Sequence, residues 1–352
     1  MGIDLLVLKL PPCSGGMERQ AYLQARELSK SLPVTVYSTS KDIELFDNDK
    51  SITFKNIKTQ KGFALKERLT ILIFCSYLIS RNKNEICYVH QSHLLALFLA
   101  LYLRLNPNIK LFIKIANSGF KFDLNMLTTR YKFPKKIISK VFSHKRISFL
   151  CLNREIRSQL LDYGIENEKI IDFRNGVQIG RMKYELQNSQ KRKEEFLFLG
   201  RLEKVKNLDF ILKCAERYKN YNFTIVGDGN EKYRLLNIIS SNNIKNVIIC
   251  GEIPQQELNF NNYGWLVLPS LAEGMSNVML EASANSLGII CQDISANDFI
   301  KSINNYVIPC SKFLNEGVDS CNIDFKRVQR KEFKFYSIEN VCNNLLKIMK
   351  QK

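Results

Sequence analysis

The sequence predicts an α/β protein built from two Rossmann-like domains, and three observations carry that prediction. Short apolar, strand-like runs alternate with helical stretches through the first half. The alternation restarts after a polar interval, and glycine-bearing turns follow strands in both halves. Strands alternating with helices argue for parallel βαβ units. At 352 residues the chain is too long for one ordinary core, so two domains of about 150 residues each are expected. A hydrophobic fraction of 45% beside 24% charged residues excludes a disordered chain.

In order, Leu5–Leu10 reads as a buried strand and Met17–Ser31 as an amphipathic helix with apolar residues at helical spacing. Val34–Tyr37 and Ile52–Ile57 are the next strands. Glu85–His90 and Leu111–Ile115 are strands separated by the apolar helix His93–Leu105. Phe149–Leu152, a helix through Leu161 and the strand at Ile170-Ile171 then lead into Asn175-Gly176. The apolar runs Leu69–Ser80 and His93–Leu105 fall short of the roughly 20 residues a bilayer span needs, so both are expected as buried helices. Met1–Leu10 lacks a basic n-region and meets Pro11-Pro12 at once, so no secretory signal is expected.

Gln178–Lys193 is polar and has the composition of a linker. The pattern then restarts with strand Glu195–Leu199, helix Asn207–Tyr218, strand Asn222–Val226 and helix Lys232–Ser241. Val247–Ile249, Trp265–Leu268 and Gly288–Cys291 are further strands, with a helix from about Met275 to Ser286. Ser337–Lys350 has helical spacing. The expected division is residues 1–174 as the first domain and 175–336 as the second. The helix at about 337–352 is expected to pack back on the first.

The ten cysteines are scattered singly, without a CxxC pair or a metal-ligand spacing. They read as small buried hydrophobes in a reducing cytosol, and no metal site is expected. The net charge is +18. From Met1 to Asp172 there are 27 Lys and Arg against 15 Asp and Glu, and Lys110–Arg146 holds ten basic residues and one acid, Asp123. One reading is solvated lysines in a lysine-rich proteome. Another is attraction to an anionic membrane surface or a phosphorylated lipid acceptor, served by the aromatic and aliphatic residues interleaved in that segment. No basic-aromatic RNA motif or helix-turn-helix pattern accompanies the charge, so nucleic acid is not an expected partner.

Four motifs carry chemistry. Ala272-Glu273-Gly274-Met275-Ser276-Asn277-Val278-Met279-Leu280-Glu281-Ala282 follows the strand Trp265–Leu268 and a Pro269-Ser270 turn. Gly274 permits a tight strand-to-helix turn, which would leave the N–H groups of Met275–Val278 at a helix N-terminus suited to phosphate. Glu273 and Glu281, with seven residues between them, are expected two helical turns apart on one face, able to accept from vicinal hydroxyls. The second motif is Gly200-Arg201 with Lys206-Asn207 at the end of a strand. At the carboxyl end of a parallel strand both cations can point into a crevice and clamp a diphosphate as it leaves. The third is Gly15-Gly16 after the first strand, where backbone can approach a ligand closely. The fourth comprises the turns Gly227-Asp228-Gly229 and Gly251-Glu252-Ile253-Pro254, which would line that crevice.

Taken in order, these motifs resemble glycosyltransferase family 4, the retaining enzymes of the GT-B fold, in which two Rossmann-like domains face each other across a cleft. The resemblance covers most of the chain and is specific in Gly200–Asn207 and Ser270–Ala282. Asn175-Gly176-Val177 is similar to the family's element at the domain junction. It implies that Arg201 and Lys206 bind the donor diphosphate, that Glu281 binds the ribose and that Glu273 bonds the transferred sugar. Gly16, Ser276, Asn277 and Val278 would contact phosphate through their backbone, and Ile253 would lie beside the base. Catalysis would then rest on Glu273, Arg201 and Lys206, by a front-face route that needs neither metal nor cofactor. UDP-sugar is the expected donor, by family frequency. A glycan or lipid-linked saccharide is the expected acceptor, at the cytoplasmic face of a membrane.

Two departures stand out. After Glu281 the family continues Ala-Met-Ala-x-Gly-x-Pro, but this chain runs Ala282-Ser283-Ala284-Asn285-Ser286-Leu287-Gly288, with Gly288 as the residue left to keep the turn. Where many members have a histidine near the reacting sugar, this chain has Ala116-Asn117-Ser118-Gly119. His90, Asn117 and Asp123 are the acceptor-side candidates, His90 being equally suited to a packed structural role. A catalytically inactive nucleotide-sugar-binding relative and a nucleotide-sugar epimerase are the alternative readings.

Overall fold

The computed structural model describes residues 2–8, 10, 16–39, 51–57, 84–90, 94–103, 106, 108–179, 193–253, 257–318, 321, 323–324 and 327–352. Gly15 and its turn, the run Leu69–Ser80, Gln91–His93, most of the polar interval 178–193 and Pro254 lie outside the described residues. The chain divides into two compact units: Met1–Gly176 with Ile338–Lys352, and Val177–Ser337.

The first unit runs β1 (Ile3–Leu6), α1 (Gly16–Ser29), β2 (Val34–Ser38), β3 (Ile52–Asn56), β4 (Ile86–His90) and α2 (Leu94–Tyr102). It continues with β5 (Lys110–Lys114), α3 (Asn125–Thr129), α4 (Lys135–Phe142), β6 (Ile147–Cys151), α5 (Arg154–Asp162) and β7 (Ile170–Asp172). The strands form a seven-stranded sheet in the order β3-β2-β1-β4-β5-β6-β7, parallel throughout. Strands β1, β2, β4 and β6 are buried at every position, as a parallel sheet covered on both faces requires. Side chains alternate between the faces. Ile86 and Tyr88 of β4 pack with Ala21, Ala25 and Leu28 of α1. Cys87 and Val89 pack on the other face with α2 and with Ile138 and Phe142 of α4. The C-terminal helix α11 (Ile338–Gln351) adds Val341, Leu345 and Met349 to the α1 side.

The second unit runs β8 (Glu195–Leu199), α6 (Asp209–Arg217), β9 (Asn222–Val226), α7 (Lys232–Ser241), β10 (Val247–Gly251) and β11 (Trp265–Leu268). It continues with α8 (Asn277–Ala284), β12 (Gly288–Cys291), α9 (Asp298–Ile303), β13 (Val307–Pro309) and α10 (Cys310–Glu316). Its sheet has the order β10-β9-β8-β11-β12-β13 and is also parallel. The elements from Asp298 to Glu316 are three to seven residues long, too short to leave a periodic signal in sequence.

Contacts within each unit fix the chain around residues 176–177 and 336–338. Gln20 of α1 donates its side-chain N–H to the Gly176 carbonyl at 2.6 Å and accepts from the Gly176 N–H at 3.0 Å. A Cβ on Gly176 would stand 2.9 Å from Ile338 Cα, at the start of α11. Val177 N–H donates to the Tyr336 carbonyl, so the outgoing and returning strands of chain run side by side. Among the described residues no disulfide joins two cysteines. Cys87, Cys151, Cys214, Cys291, Cys310 and Cys342 are buried, and burial pushes the Cys151 thiol up to about 11 and those of Cys214 and Cys291 to about 12.

The region after β11 differs from the sequence expectation in two ways. Helix α8 begins at Asn277, so Glu273 lies in the preceding loop while Glu281 is inside the helix. The two glutamates are therefore not two turns apart on one helical face. Ser276 is the N-cap, its hydroxyl accepting from Met279 N–H at 3.4 Å, which satisfies one of the helix's leading donors. The turn after α8 is kept by Ser286, at φ +61°, with Ser286 N–H on the Ser283 carbonyl and Leu287 N–H on the Ala282 carbonyl, the paired bonds of a Schellman ending. Gly288 instead opens β12, where a Cβ would meet the Trp265 ring at 2.4 Å.

Candidate functional site

Strand order reverses where neighbours on either side of a pair lead away in opposite directions, and ligands of open α/β sheets bind at the carboxyl ends of that pair. In the second unit the pair is β8 and β11. The loop after β8 carries Arg201 and Lys206, and the loop after β11 carries Glu273 and the start of α8. Both strong motifs therefore stand at one switch point.

The two loops are bonded to each other. Leu271 N–H donates to the Val205 carbonyl at 2.8 Å, and Lys206 Nζ donates to Glu273 Oε1 at 2.5 Å. These side chains are 18% and 14% exposed, so the pair is shielded from bulk water but reachable. Lys206 is aimed by the turn Lys204–Lys206, closed by Lys206 N–H on the Glu203 carbonyl and Asn207 N–H on the Lys204 carbonyl. Asn207 takes the left-handed conformation, φ +52°, which asparagine tolerates better than most residues. Arg201 is exposed and pairs with Glu203 at 2.7 Å.

The walls are backbone pressed on backbone. Gly227 sits at φ +143°, and a Cβ there would lie 1.9 Å from the Gly200 carbonyl oxygen; on Gly229 it would lie 2.5 Å from that of Leu202. Gly227 N–H donates to the Gly251 carbonyl and Leu202 N–H to the Asp228 carbonyl, so the ends of β8, β9 and β10 are tied in a row. Asp228 accepts from Lys232 at 2.6 Å and from Gly229 N–H at 2.7 Å; these bonds, Lys232 first, hold its carboxyl below the usual range. Ile253 is half-buried just beyond β10, Val278 half-buried and Asn277 buried in the first turn of α8, and Glu281 is 6% exposed. The structure thus gathers Arg201, Lys206, Glu273, Ser276, Asn277, Val278 and Glu281 on the two loops of the switch point and the helix that follows, with Ile253 on the neighbouring loop.

In the first unit the reversal falls between β1 and β4. Gly16 opens α1 beyond β1, and His90 ends β4. Asp123 is buried and accepts from Ala116 N–H and from the Asn117 side-chain amide, each at 2.8 Å. It pins the loop that follows β5. That loop is fixed further by Ser118 donating to Glu155 at 2.9 Å.

The sequence reading missed Lys114. It ends β5 beside His90 of β4 in register, and both are 2% exposed. Lys114 Nζ and both ring nitrogens of His90 have no hydrogen-bond partner among the described residues. Burial lowers the Lys114 amine to about 7. Burial, then the nearby Lys114, holds the His90 imidazole well below its ordinary value. The available signal was a lysine inside the apolar run Leu111–Ile115, where a strand buried on both faces leaves no water for its amine. Among the described residues no group of three or more metal-ligating side chains is gathered.

Residues 184–310, a little over a third of the chain, match the family model described as glycosyl transferases group 1. A capsular polysaccharide biosynthesis glycosyltransferase of Staphylococcus aureus, CapH, is 26% identical over 181 residues, 49% of this chain and 48% of that protein. A 41.2 kDa protein in the cps region of Klebsiella pneumoniae is 24% identical over 255 residues, 69% of each chain. Two Methanocaldococcus jannaschii glycosyltransferases are 26% and 27% identical, and the aligned part spans only 38% of each. Among solved structures, Anabaena HepE in complex with UDP and glucose superposes with a TM-score of 0.73 at 12% identity, covering 100% of both chains. Sucrose-phosphate synthase of Thermosynechococcus elongatus reaches 0.77 at 12% identity, over 100% of this chain and 98% of that one. These neighbours share the architecture of two parallel-sheet α/β domains, and the fold class is GT-B.

Proposed function

We propose that this chain is a retaining glycosyltransferase that moves a hexose or N-acetylhexosamine from a nucleotide diphosphate, with UDP-sugar as donor, to a growing cell-surface glycan or its lipid-linked precursor. The observation that carries the reading is the Lys206–Glu273 pair, which joins the two motif loops at the switch point of the second unit. A cation and a carboxylate side by side, reachable at 18% and 14% exposure, suit a ligand with a diphosphate next to polyols. Lys206 and Arg201 take the diphosphate and neutralise charge as it leaves. Glu273 accepts from sugar hydroxyls, and Glu281 from the ribose. Amides of the first turn of α8 favour phosphate, aided by the helix dipole.

The match to group 1 glycosyl transferases over 184–310 supports the assignment to the second unit. CapH in capsule biosynthesis and the lipopolysaccharide outer core galactosyltransferase WaaB, superposed at a TM-score of 0.71, support a cell-surface glycan product. HepE, crystallised with UDP and glucose, supports a UDP-linked donor. Retention follows from the family resemblance, by a front-face route in which the departing phosphate helps deprotonate the acceptor hydroxyl. No carboxylate nucleophile is needed for that route, and the cations carry much of the barrier lowering.

No described helix is long and apolar enough to cross a membrane. Helix α4 buries Ile138, Val141 and Phe142 while Lys135, Lys136, Lys140 and Ile137 face solvent, with Phe120 67% exposed in the same basic segment. This combination supports peripheral docking at the anionic inner face of a membrane, where a lipid-linked acceptor is presented.

The test is a panel of nucleotide sugars screened for stabilisation of the folded protein, followed by release of nucleoside diphosphate from the best binder. A transferase shows saturable stabilisation and slow donor hydrolysis that an acceptor accelerates. Tight nucleotide binding without turnover on any acceptor would instead identify a non-catalytic relative.

A further inference from the structure

On the face of the first sheet covered by α1 and α11, three polar side chains point into the same apolar surroundings. Gln24 is fully buried; His90 and Lys114 are 2% exposed. The Tyr88 hydroxyl donates to Gln24 Oε1 at 2.8 Å, and the Tyr88 ring lies 4.6 Å from that of His90. His90 and Lys114 are register partners on β4 and β5, and Lys114 Nζ stands 5.7 Å from the centre of the Phe173 ring. This chain of contacts places Gln24 Nε2, both nitrogens of His90 and Lys114 Nζ in one neighbourhood, and none has a hydrogen-bond partner among the described residues.

Each buried polar group left unpaired costs about 1–3 kcal/mol, and an amine costs more. A methionine at position 114 would fill the same space without that penalty. Native proteins leave few such groups, and a concentration of them marks a redox or catalytic role, water or a bound ion. Here the groups are nitrogens, one of them on a lysine with no ion-pair partner among the described residues. The complement to clustered donors around an amine is a group of acceptors with negative charge.

We infer that Gln24, His90 and Lys114 form a binding site for a small oxyanion, of the carboxylate or phosphate class, beside the strand-order reversal of the first unit. The inference goes beyond the transfer reaction and does not depend on it. The amine's lowered pKa, about 7, fits a site that gains a proton as the anion enters. Among the described residues, the groups facing it are His90 and Tyr88 from β4, Gln24 from α1 and Cys342 from α11. Sugar carboxylates and free anions share this chemistry, and the probes below separate them.

The experiment is thermal unfolding of the full chain and of Lys114→Met and Gln24→Met. Inorganic phosphate, acetate or glucuronate is titrated against chloride at matched ionic strength. Any anion held in the second unit shifts all three proteins alike, so the difference between them reports this cluster. In chloride, Lys114→Met is expected to fold and to unfold at a higher temperature than the parent. One or more of the anions is expected to raise the parent's Tm saturably, by about 3 °C or more, with no rise in Lys114→Met and a smaller one in Gln24→Met. A response to glucuronate above that to acetate assigns the site to a sugar carboxylate, and the reverse to a free anion. The inference is overturned by equal shifts in parent and Lys114→Met, by no saturable shift with any anion, or by a Lys114→Met protein less stable than the parent in chloride.

Discussion

The Lys206–Glu273 pair gives the sharpest test, because its two members are assigned opposite effects on one ligand. At 18% and 14% exposure the pair lies between surface ion pairs, worth about 0–1 kcal/mol, and fully buried ones, where deleting one partner costs about 3–5 kcal/mol. Either Lys206→Met or Glu273→Gln is therefore expected to lower stability by about 1–2 kcal/mol, and the double variant by less than the sum, since the residues share one bond. In the free protein Glu273 neutralises Lys206, so an arriving diphosphate must compete with it. Lys206→Met is expected to weaken UDP binding, whereas Glu273→Gln, by freeing the cation, is expected to tighten it by about 1 kcal/mol, roughly fivefold.

Transfer behaves differently. Losing the leaving-group cation is expected to lower kcat/KM by about 10²–10³, with Lys206→Arg recovering part of it, and Glu273→Gln is expected to slow turnover while improving product binding. Calorimetric titration with UDP, transfer kinetics and denaturant unfolding read these quantities separately. If Lys206→Met keeps kcat/KM within about threefold of the parent while losing the expected stability, the pair is a brace between loops and the donor assignment fails.

Four further outcomes follow from single features. Gly227→Ala forces a Cβ to within 1.9 Å of the Gly200 carbonyl oxygen at φ +143°; backbone must move, and urea unfolding should show a loss of about 3 kcal/mol or more. Ser286→Gly relieves a non-glycine residue at φ +61° and should stabilise by about 0.5–1 kcal/mol by the same measurement. Because burial holds Lys114 near 7 against 10.5 unfolded, the unfolded chain binds the extra proton between those values and the parent gains stability as pH rises. Lys114→Met removes that slope, at most about 1.4 kcal/mol per pH unit, so its advantage at neutral pH should shrink toward pH 10; a constant gap would refute the assignment. Co-sedimentation with anionic liposomes should fall when Lys135, Lys136 and Lys140 are all replaced by Gln and when salt is raised, and neutral liposomes should not bind.

Much of the site was legible because it is local. Gly200-Arg201 and Lys206 follow one strand, Glu273 and Ser276–Val278 follow another, and short-range patterning places both at strand ends. What local patterning misjudged was where α8 starts. Ser276 is a strong N-cap residue, and capping rather than the spacing of Glu273 and Glu281 sets the first helical residue. Likewise the missing family glycine after Glu281 suggested Gly288 as the turn, while the paired amide bonds of the helix end impose the left-handed conformation on Ser286 instead.

The sequence alone determined the two α/β repeats, the burial of the β-strands and the chemistry at each strand end, since hydrophobic period and turn residues act over a few neighbours. Tertiary structure decided the rest. Strand order, which no local signal encodes, made β8 and β11 adjacent and so brought Lys206 within hydrogen-bond reach of Glu273, 67 residues away. The same kind of adjacency, β4 beside β5 under α1 and α11, brought Lys114, which no motif marks, beside the candidate His90 in a buried cluster. Removal from water acts on groups that are neighbours in space, and only the folded chain specifies those neighbours.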